Sequence, residues 1–260
     1  MRHILLVERV KFAYCLFIAY AWWPFIRRRN ITRPVHILVV PIMTRLGDLV
    51  CATPVFREIK MKIPGAHLAV LAAKNVAGIV RHNTRIDDLI VMNETPYKGH
   101  KGRLRLLLDI RRKRFDAVVS LANNPFGSIV AAASGAPLRI KTSHFPRTLA
   151  EKLSDFLNNV RRVYRDGTFL QAHYLSLLEP LGIHAGEPVK EVYTNGVGEQ
   201  KAEAFLKSES IAAGDRLVGI SVSAGNTVKE WPRERFAELA DRLIAENCAR
   251  IVFIDAPRDA

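Results

Sequence analysis

From residue 34 onward the sequence alternates short β-favouring apolar runs with longer helical stretches, which restricts the chain to α/β folds built on parallel strands. The strand candidates are residues 35–41 (VHILVVP), 67–72 (HLAVLA), 89–92 (LIVM) and 115–121 (FDAVVSL), with a short fifth at 139–142. Helical stretches at 49–62, 75–81, 103–113 and 127–134 separate or follow them, and two more fall around 148–158 and 168–181. Residues 184–215 mix Gly, Pro and charge and read as an inter-domain connection carrying one helix near 198–208. A new β-α-β then begins, with strands at 217–222 (LVGISV) and 250–254 (RIVFI) around a helix at 232–247. A lone unit of roughly 45 residues cannot bury both faces of its sheet. Either it extends the first sheet, or it opens a second Rossmann-like domain left incomplete at residue 260. The second reading is preferred and divides the chain into 1–33, 34–183, 184–215 and 216–260.

The first 33 residues obey a different pattern. Residues 12–26 (FAYCLFIAYAWWPFI) carry no charge and lie between Arg9 and Lys11 on one side and Arg27, Arg28 and Arg29 on the other. As a helix this run rises only ~22 Å, short of a hydrocarbon core of ~30 Å. Its Tyr and Trp residues suit the headgroup level, and the flanking cations suit anionic lipid. It reads as an N-terminal apolar helix that lies on a membrane or forms a short signal-anchor; a helix packed on the protein's own core is the alternative. Should it span, the arginines favour a cytoplasmic location for the α/β domain on their C-terminal side.

Lys and Arg total 39 against 25 Asp and Glu, a formal charge of +14, which favours phosphorylated substrates, lipid headgroups or nucleic acid. Nucleic acid is the weakest of these, because no DNA- or RNA-reading motif is present. The three cysteines are far apart and show no metal-ligand spacing, which fits a reducing compartment. No GxGxxG follows a strand, and there is no P-loop, spaced acidic pair in a loop, or GxSxG elbow. Dinucleotide oxidoreductases, ATPases and serine hydrolases are therefore disfavoured.

Three segments carry candidate chemistry. Thr44-Arg45-Leu46-Gly47-Asp48 follows the first strand, where ligands of open α/β sheets bind. Gly47 is read as permitting a tight turn. Asp48 is either a helix cap or a general base for a hydroxyl nucleophile. Lys229 precedes Trp231-Pro232, with Pro232 in the first turn of a helix whose start can hold phosphate; Arg233 and Arg235 there suggest a nearby anion. A basic stretch from Lys98 through Lys101, Arg103 and Arg105 to Arg114 is a solvated helix face in its later part. Its loop part, 98–105, could hold an anionic acceptor.

With these residues in view the sequence resembles glycosyltransferase family 9, the ADP-heptose–lipopolysaccharide heptosyltransferases. The likeness is carried by GDLVCATPVFREIKMKIPGAHLAVL, RIDDLIVMN, RFDAVVSLANNPFGSIVAAASGAPLRI and VGISVSAGNTVKEWPRERFAELADRL. It implies two facing Rossmann-like domains of the GT-B type, the second incomplete, because the family's later Asp-x-Gly-x-x-His-x-Ala segment is not present. It implies a metal-independent, inverting transfer of heptose from an ADP-sugar, with no cofactor, to a lipid-linked phosphorylated core oligosaccharide at the cytoplasmic face of the inner membrane. Carried over by position, Asp48 would be the base and Lys229 would neutralise the leaving diphosphate. Ser223, Gly225 and Thr227 would line the phosphate loop. Thr44, Arg45, Gly47, Lys98, Lys101 and Arg103 would meet the acceptor. The competing expectation is a non-catalytic remnant that binds anionic glycolipid at the membrane surface.

Overall fold

The computed structural model describes residues 34–41, 45–144, 149–184, 186–223 and 227–255, together with Val10, Ala13, Phe17, Tyr20 and Ala21. The chain divides into two compact units, residues 1–193 and 194–260.

Unit 1 is a parallel six-stranded sheet in the order β3-β2-β1-β4-β5-β6. Its strands are β1 (His36–Val40), β2 (His67–Ala73), β3 (Asp88–Met92), β4 (Ala117–Ser120), β5 (Leu138–Ser143) and β6 (Val160–Val163). Its helices are α1 (Leu46–Lys62), α2 (Gly99–Arg112), α3 (Pro125–Ser134), α4 (Leu149–Asp155) and α5 (Leu170–Ser176). Alternation along β1 feeds two cores. Ile37 and Val39 join Leu49, Phe56 and Tyr174 in one layer, while Leu38 and Val40 join Leu106, Ile110 and Ile129 in the other. The central strands are buried on both faces, as continuous apolar runs require. Helix α3 packs against α2 and α4, and its small residues, Ala131 to Ala133, permit that close approach.

Local signals explain the boundaries. Asn124 caps α3 by accepting from the Gly127 N–H at 2.8 Å, Pro125 takes the first turn, and Gly135 ends the helix at φ 67°. Helix α1 contains Pro54, which has no N–H to offer the carbonyl of Val50. The Thr53 hydroxyl donates to that carbonyl at 2.8 Å instead. The same oxygen accepts from the Glu191 N–H at 3.0 Å, and Glu191 also pairs with Arg57 and Arg85 at 3.4 Å each. Residues leading up to Tyr193 are thus fastened to unit 1. The segment read as a connection therefore divides at 193/194.

Unit 2 holds α6 (Gly196–Ser208), α7 (Arg233–Asn247) and a two-stranded parallel sheet of β7 (Arg216–Ser221) and β8 (Ala249–Ile254). Phe253 and Ile254 on β8 are more than half exposed.

The structure corrects several boundaries. Residues 75–81 hold one 3-10 turn, Ala77–Ile79, rather than a longer helix. Helix α2 begins at Gly99, so most of the basic segment 98–105 is helical rather than loop. Pro232 caps α7 from outside instead of occupying its first turn. The apolar run 12–26 lies mostly outside the described residues, although Val10, Ala13, Phe17, Tyr20 and Ala21 are helical and exposed. Among the described residues no helix is long and apolar enough to cross a membrane.

Candidate functional site

In unit 1 consecutive strands run outward from β1 to β2 and β3, then cross to β4, β5 and β6. The strand order reverses between β1 and β4, and the crevice beyond their carboxyl ends is where an open α/β sheet receives ligands.

The segment leaving β1 brings Arg45, Gly47 and Asp48 to this edge. Arg45 is the extended residue preceding α1, at φ −106° and ψ 133°, and its side chain makes no capping bond. Gly47 is the second helical residue and has an ordinary negative φ, so it is not the tight turn expected; open space surrounds the position of a side chain there. Asp48 follows in the first turn, half-buried. The helix start favours its negative charge. It is not the cap residue, and among the described residues no hydrogen bond or ion pair engages its carboxylate. Nearby stands Tyr174, on α5 packed against α1. Burial, then the charge of Asp48, pushes the Tyr174 phenol well above its ordinary value, keeping it neutral. Thr44 lies outside the described residues.

The edge strands supply a second group of polar residues. Lys141 is fully buried and pairs with Asp155 at 3.1 Å. Asp155 also meets Arg161 at 3.4 Å, an arrangement that fixes α4 to β5 and β6. His173 contacts the Thr142 hydroxyl through Nε2 at 3.2 Å, and burial lowers its pKa. Past β4, the Asn123 amide donates to Glu151 at 3.4 Å. Asn123 Oδ1 and Ser143 Oγ are buried without a hydrogen-bond partner. Sequence reasoning missed both, since an Asn-Asn-Pro after a strand reads as a helix cap.

The basic segment at the end of β3 sorts into two kinds. Arg105 and Arg112 pair with Asp109, and Lys113 pairs with Asp88. Gly102 in the first turn of α2 abuts the backbone of Tyr97, where a Cβ would overlap the carbonyl carbon. Lys98, the residue before α2, and Lys101 are exposed, Arg103 is half-buried, and no ion pair ties them to a described residue. They are the cations at this edge left to meet an anion.

In unit 2, Ser223 is half-buried just beyond β7, and the exposed Lys229 ends the 3-10 turn Thr227–Lys229. Trp231 packs edge-on to Phe236 at 5.2 Å and fixes the entry to α7. Arg235 pairs with Glu238 at 2.9 Å, so its position needs no external anion. Gly225 lies outside the described residues. A cleft of about 920 Å³ lined by Phe205, Ile211, Ile244 and Phe253 together with Asp241 and Arg250 holds none of the expected site residues. Among the described residues, no group of three or more His, Cys, Asp or Glu could hold a metal ion.

Comparison with known proteins adds an independent line. The family described as glycosyltransferase family 9 (heptosyltransferase) matches residues 103–260. A Haemophilus influenzae protein named as a glycosyltransferase is 21% identical over 228 residues, covering 83% of this chain and 62% of that protein. The solved family 9 glycosyl transferase of Veillonella parvula superposes with a TM-score of 0.75 at 24% identity, covering 89% of this chain and 65% of that one. The E. coli ADP-heptose lipopolysaccharide heptosyltransferase II gives 0.65 at 19%, covering 86% and 65%. An E. coli heptosyltransferase solved with ADP-2-deoxy-2-fluoro heptose gives 0.61 at 17%, covering 85% and 70%. At these identities the structural likeness concerns the fold. The chain spans under two thirds of the length of the first three relatives.

Proposed function

The chain belongs to glycosyltransferase family 9, and from that premise we propose that it serves the transfer of a heptose from ADP-heptose to the phosphorylated, lipid-linked inner core of lipopolysaccharide. The observation that carries this reading is the Asp48 carboxylate: half-buried at the reversal of strand order, in a first helical turn, and untied by any described residue. There it accepts the proton of an acceptor hydroxyl as that oxygen attacks the anomeric carbon, and the bond to the diphosphate breaks on the opposite face of the sugar. The transfer inverts the anomeric centre. Lys229 neutralises the charge that develops on the departing ADP, assisted by Ser223, Gly225 and Thr227. Arg45, Lys98, Lys101 and Arg103 supply cations for the acceptor's phosphates, and Thr44 and Gly47 are assigned to the acceptor as well. The reading as an ADP-sugar enzyme draws support from the E. coli relative solved with an ADP-sugar analogue.

The test is ADP release from ADP-heptose in the presence of a phosphorylated core acceptor, with and without a chelator. Asp48→Asn should lower kcat by about 10²- to 10⁴-fold at unchanged melting temperature, and a chelator should leave wild-type turnover as it was. Undiminished turnover by the variant removes Asp48 as the base. Calorimetry with ADP-heptose separates this reading from its competitor, because a remnant that only holds glycolipid takes up no nucleotide sugar.

A further inference from the structure

Along the carboxyl edge of β4 and β5 almost every polar side chain has a task. Ser120 donates to the Gly127 carbonyl at 3.3 Å, and Asn124 caps α3. Ser128 accepts from Asn158 at 2.9 Å, and Thr142 meets His173 at 3.2 Å. Three atoms in this neighbourhood do not fit the pattern: Asn158 Oδ1, ahead of β6, and two at the carboxyl edge itself. Ser143 is 2% exposed and its hydroxyl has no partner; Asn123 Oδ1 is likewise buried and unpaired. Leaving such atoms buried costs stability, and part of that cost falls at a strand edge that receives ligands.

The two leave the carboxyl ends of neighbouring strands. The parallel β4–β5 ladder closes at the Ser120–Lys141 pair, with Ser143 two residues further along β5 and Asn123 three residues past the end of β4. On the other side of β4, Val40 pairs with Ser120, which puts the segment bearing Asp48 on the next strand over. Asn123 therefore lies between the Asp48 segment and Ser143 along one edge.

The chemistry of the pair is specific. The Asn123 amide nitrogen already donates to Glu151, so the atom left over is a neutral amide acceptor. Such an atom calls for an O–H donor. Ser143 can give or take a hydrogen bond. Adjacent ring hydroxyls of a neutral sugar satisfy both atoms at once.

We propose that Asn123 and Ser143 form a hydroxyl-recognising subsite that holds the uncharged sugar ring of the acceptor, distinct from the cations at Lys98, Lys101 and Arg103 that meet its phosphates. The proposal deepens the reading of Asp48 as the base and rests on it for the identity of the sugar. It also gives the two residues a signature that a purely structural role lacks. Removing an unsatisfied buried hydroxyl leaves stability equal or improved while binding weakens.

The experiment uses the full chain and a neutral methyl heptoside as probe, followed by calorimetry and ligand-observed NMR, alongside acceptor KM and kcat. Ser143→Ala should keep or raise the melting temperature while weakening heptoside binding by about 5- to 10-fold, the scale of one neutral hydrogen bond. Asn123→Ala should raise the acceptor KM about 10-fold, with kcat within about threefold and ADP-heptose affinity unchanged. Heptoside binding that is absent in the wild type, or equal in wild type and both variants, overturns the proposal. Loss of heptoside binding in the variants while Asp48→Asn transfers normally upholds the subsite and removes the base assignment instead.

Discussion

At the residue scale, the titratable group whose burial has the clearest consequence is His173. It is 5% exposed, contacts Thr142 at 3.2 Å, takes the edge of the Tyr164 ring at 5.1 Å, and adjoins Tyr174. Desolvation disfavours the imidazolium, so the folded pKa lies below the ordinary 6.5. The unfolded chain takes up its proton near pH 6.5, before the folded chain does. The stability contributed by the neutral imidazole is therefore complete above that pH and is lost as pH falls towards the depressed folded value. Guanidinium unfolding between pH 7.5 and 5.5 should show the wild type losing stability faster than His173→Gln, which stays neutral throughout. Parallel slopes for the two proteins would show that His173 is not held neutral by the fold. Asp87 acts at lower pH. Burial alone would raise its pKa, but the Leu68 N–H and Lys60 outweigh burial and hold it below 3.8. Its contribution is present above that value and is lost on acidification through the folded pKa.

At the element scale, the Thr53-Pro54 pair shows how a motif works as structure. The Thr53 hydroxyl serves the Val50 carbonyl that Pro54 abandons and accepts from the Glu191 N–H, which ties the end of unit 1 to α1. Thr53→Val keeps the shape, removes both bonds, and should cost about 2 kcal/mol of folding stability, measured by the urea midpoint at unchanged m-value. A loss within about 0.5 kcal/mol, the range of an unremarkable surface change, would mean that water serves both groups. The same scale shows what could be read beforehand. The strands of VHILVVP and HLAVLA were legible because burial on both faces demands unbroken apolar runs. Helix α3 was expected over 127–134 and begins two residues earlier, at Pro125, because the Asn124 cap sets its start. Strand β6 did not, because VRRV is an edge strand whose arginines lie outside the apolar layers. The start of α2 was hidden because the segment 98–103 has no apolar period, and Gly102 is set by contact with Tyr97 rather than by helix propensity. The position of Asp48 in the first turn after β1 could be read from the strand–loop–helix pattern. The unpaired atoms of Asn123 and Ser143 could not, since satisfaction of a polar atom depends on neighbours brought together by the sheet.

At the scale of the whole molecule, the proposed function asks a chain of formal charge +14 to meet a lipid-borne acceptor. Val10, Ala13, Phe17, Tyr20 and Ala21 are helical and exposed at spacings of three and four, which sets them on one face. The Tyr20 hydroxyl donates to the Leu153 carbonyl at 2.9 Å, so this face adjoins α4. Leu153 is open to solvent there, and Phe156 just beyond is 70% exposed, similar to the 72% of Phe17. Lys152 lies on the same helix, and Arg9, Lys11, Arg27, Arg28 and Arg29 flank the apolar run in sequence. Apolar residues flanked in sequence by cations suit contact with an anionic bilayer surface. Two terms of different salt dependence then share the binding. The protein should float with phosphatidylglycerol-containing vesicles more than with purely zwitterionic ones. At about 1 M salt, where charges are screened beyond ~3 Å, the electrostatic part should vanish and a smaller apolar part persist. Phe17→Ser combined with Phe156→Ser should remove that salt-resistant part while leaving binding at low salt largely intact. Deletion of residues 1–33 should weaken both. Equal flotation by wild type and the double variant at high salt would mean that this face does not enter lipid, and that cations alone draw the protein to the membrane.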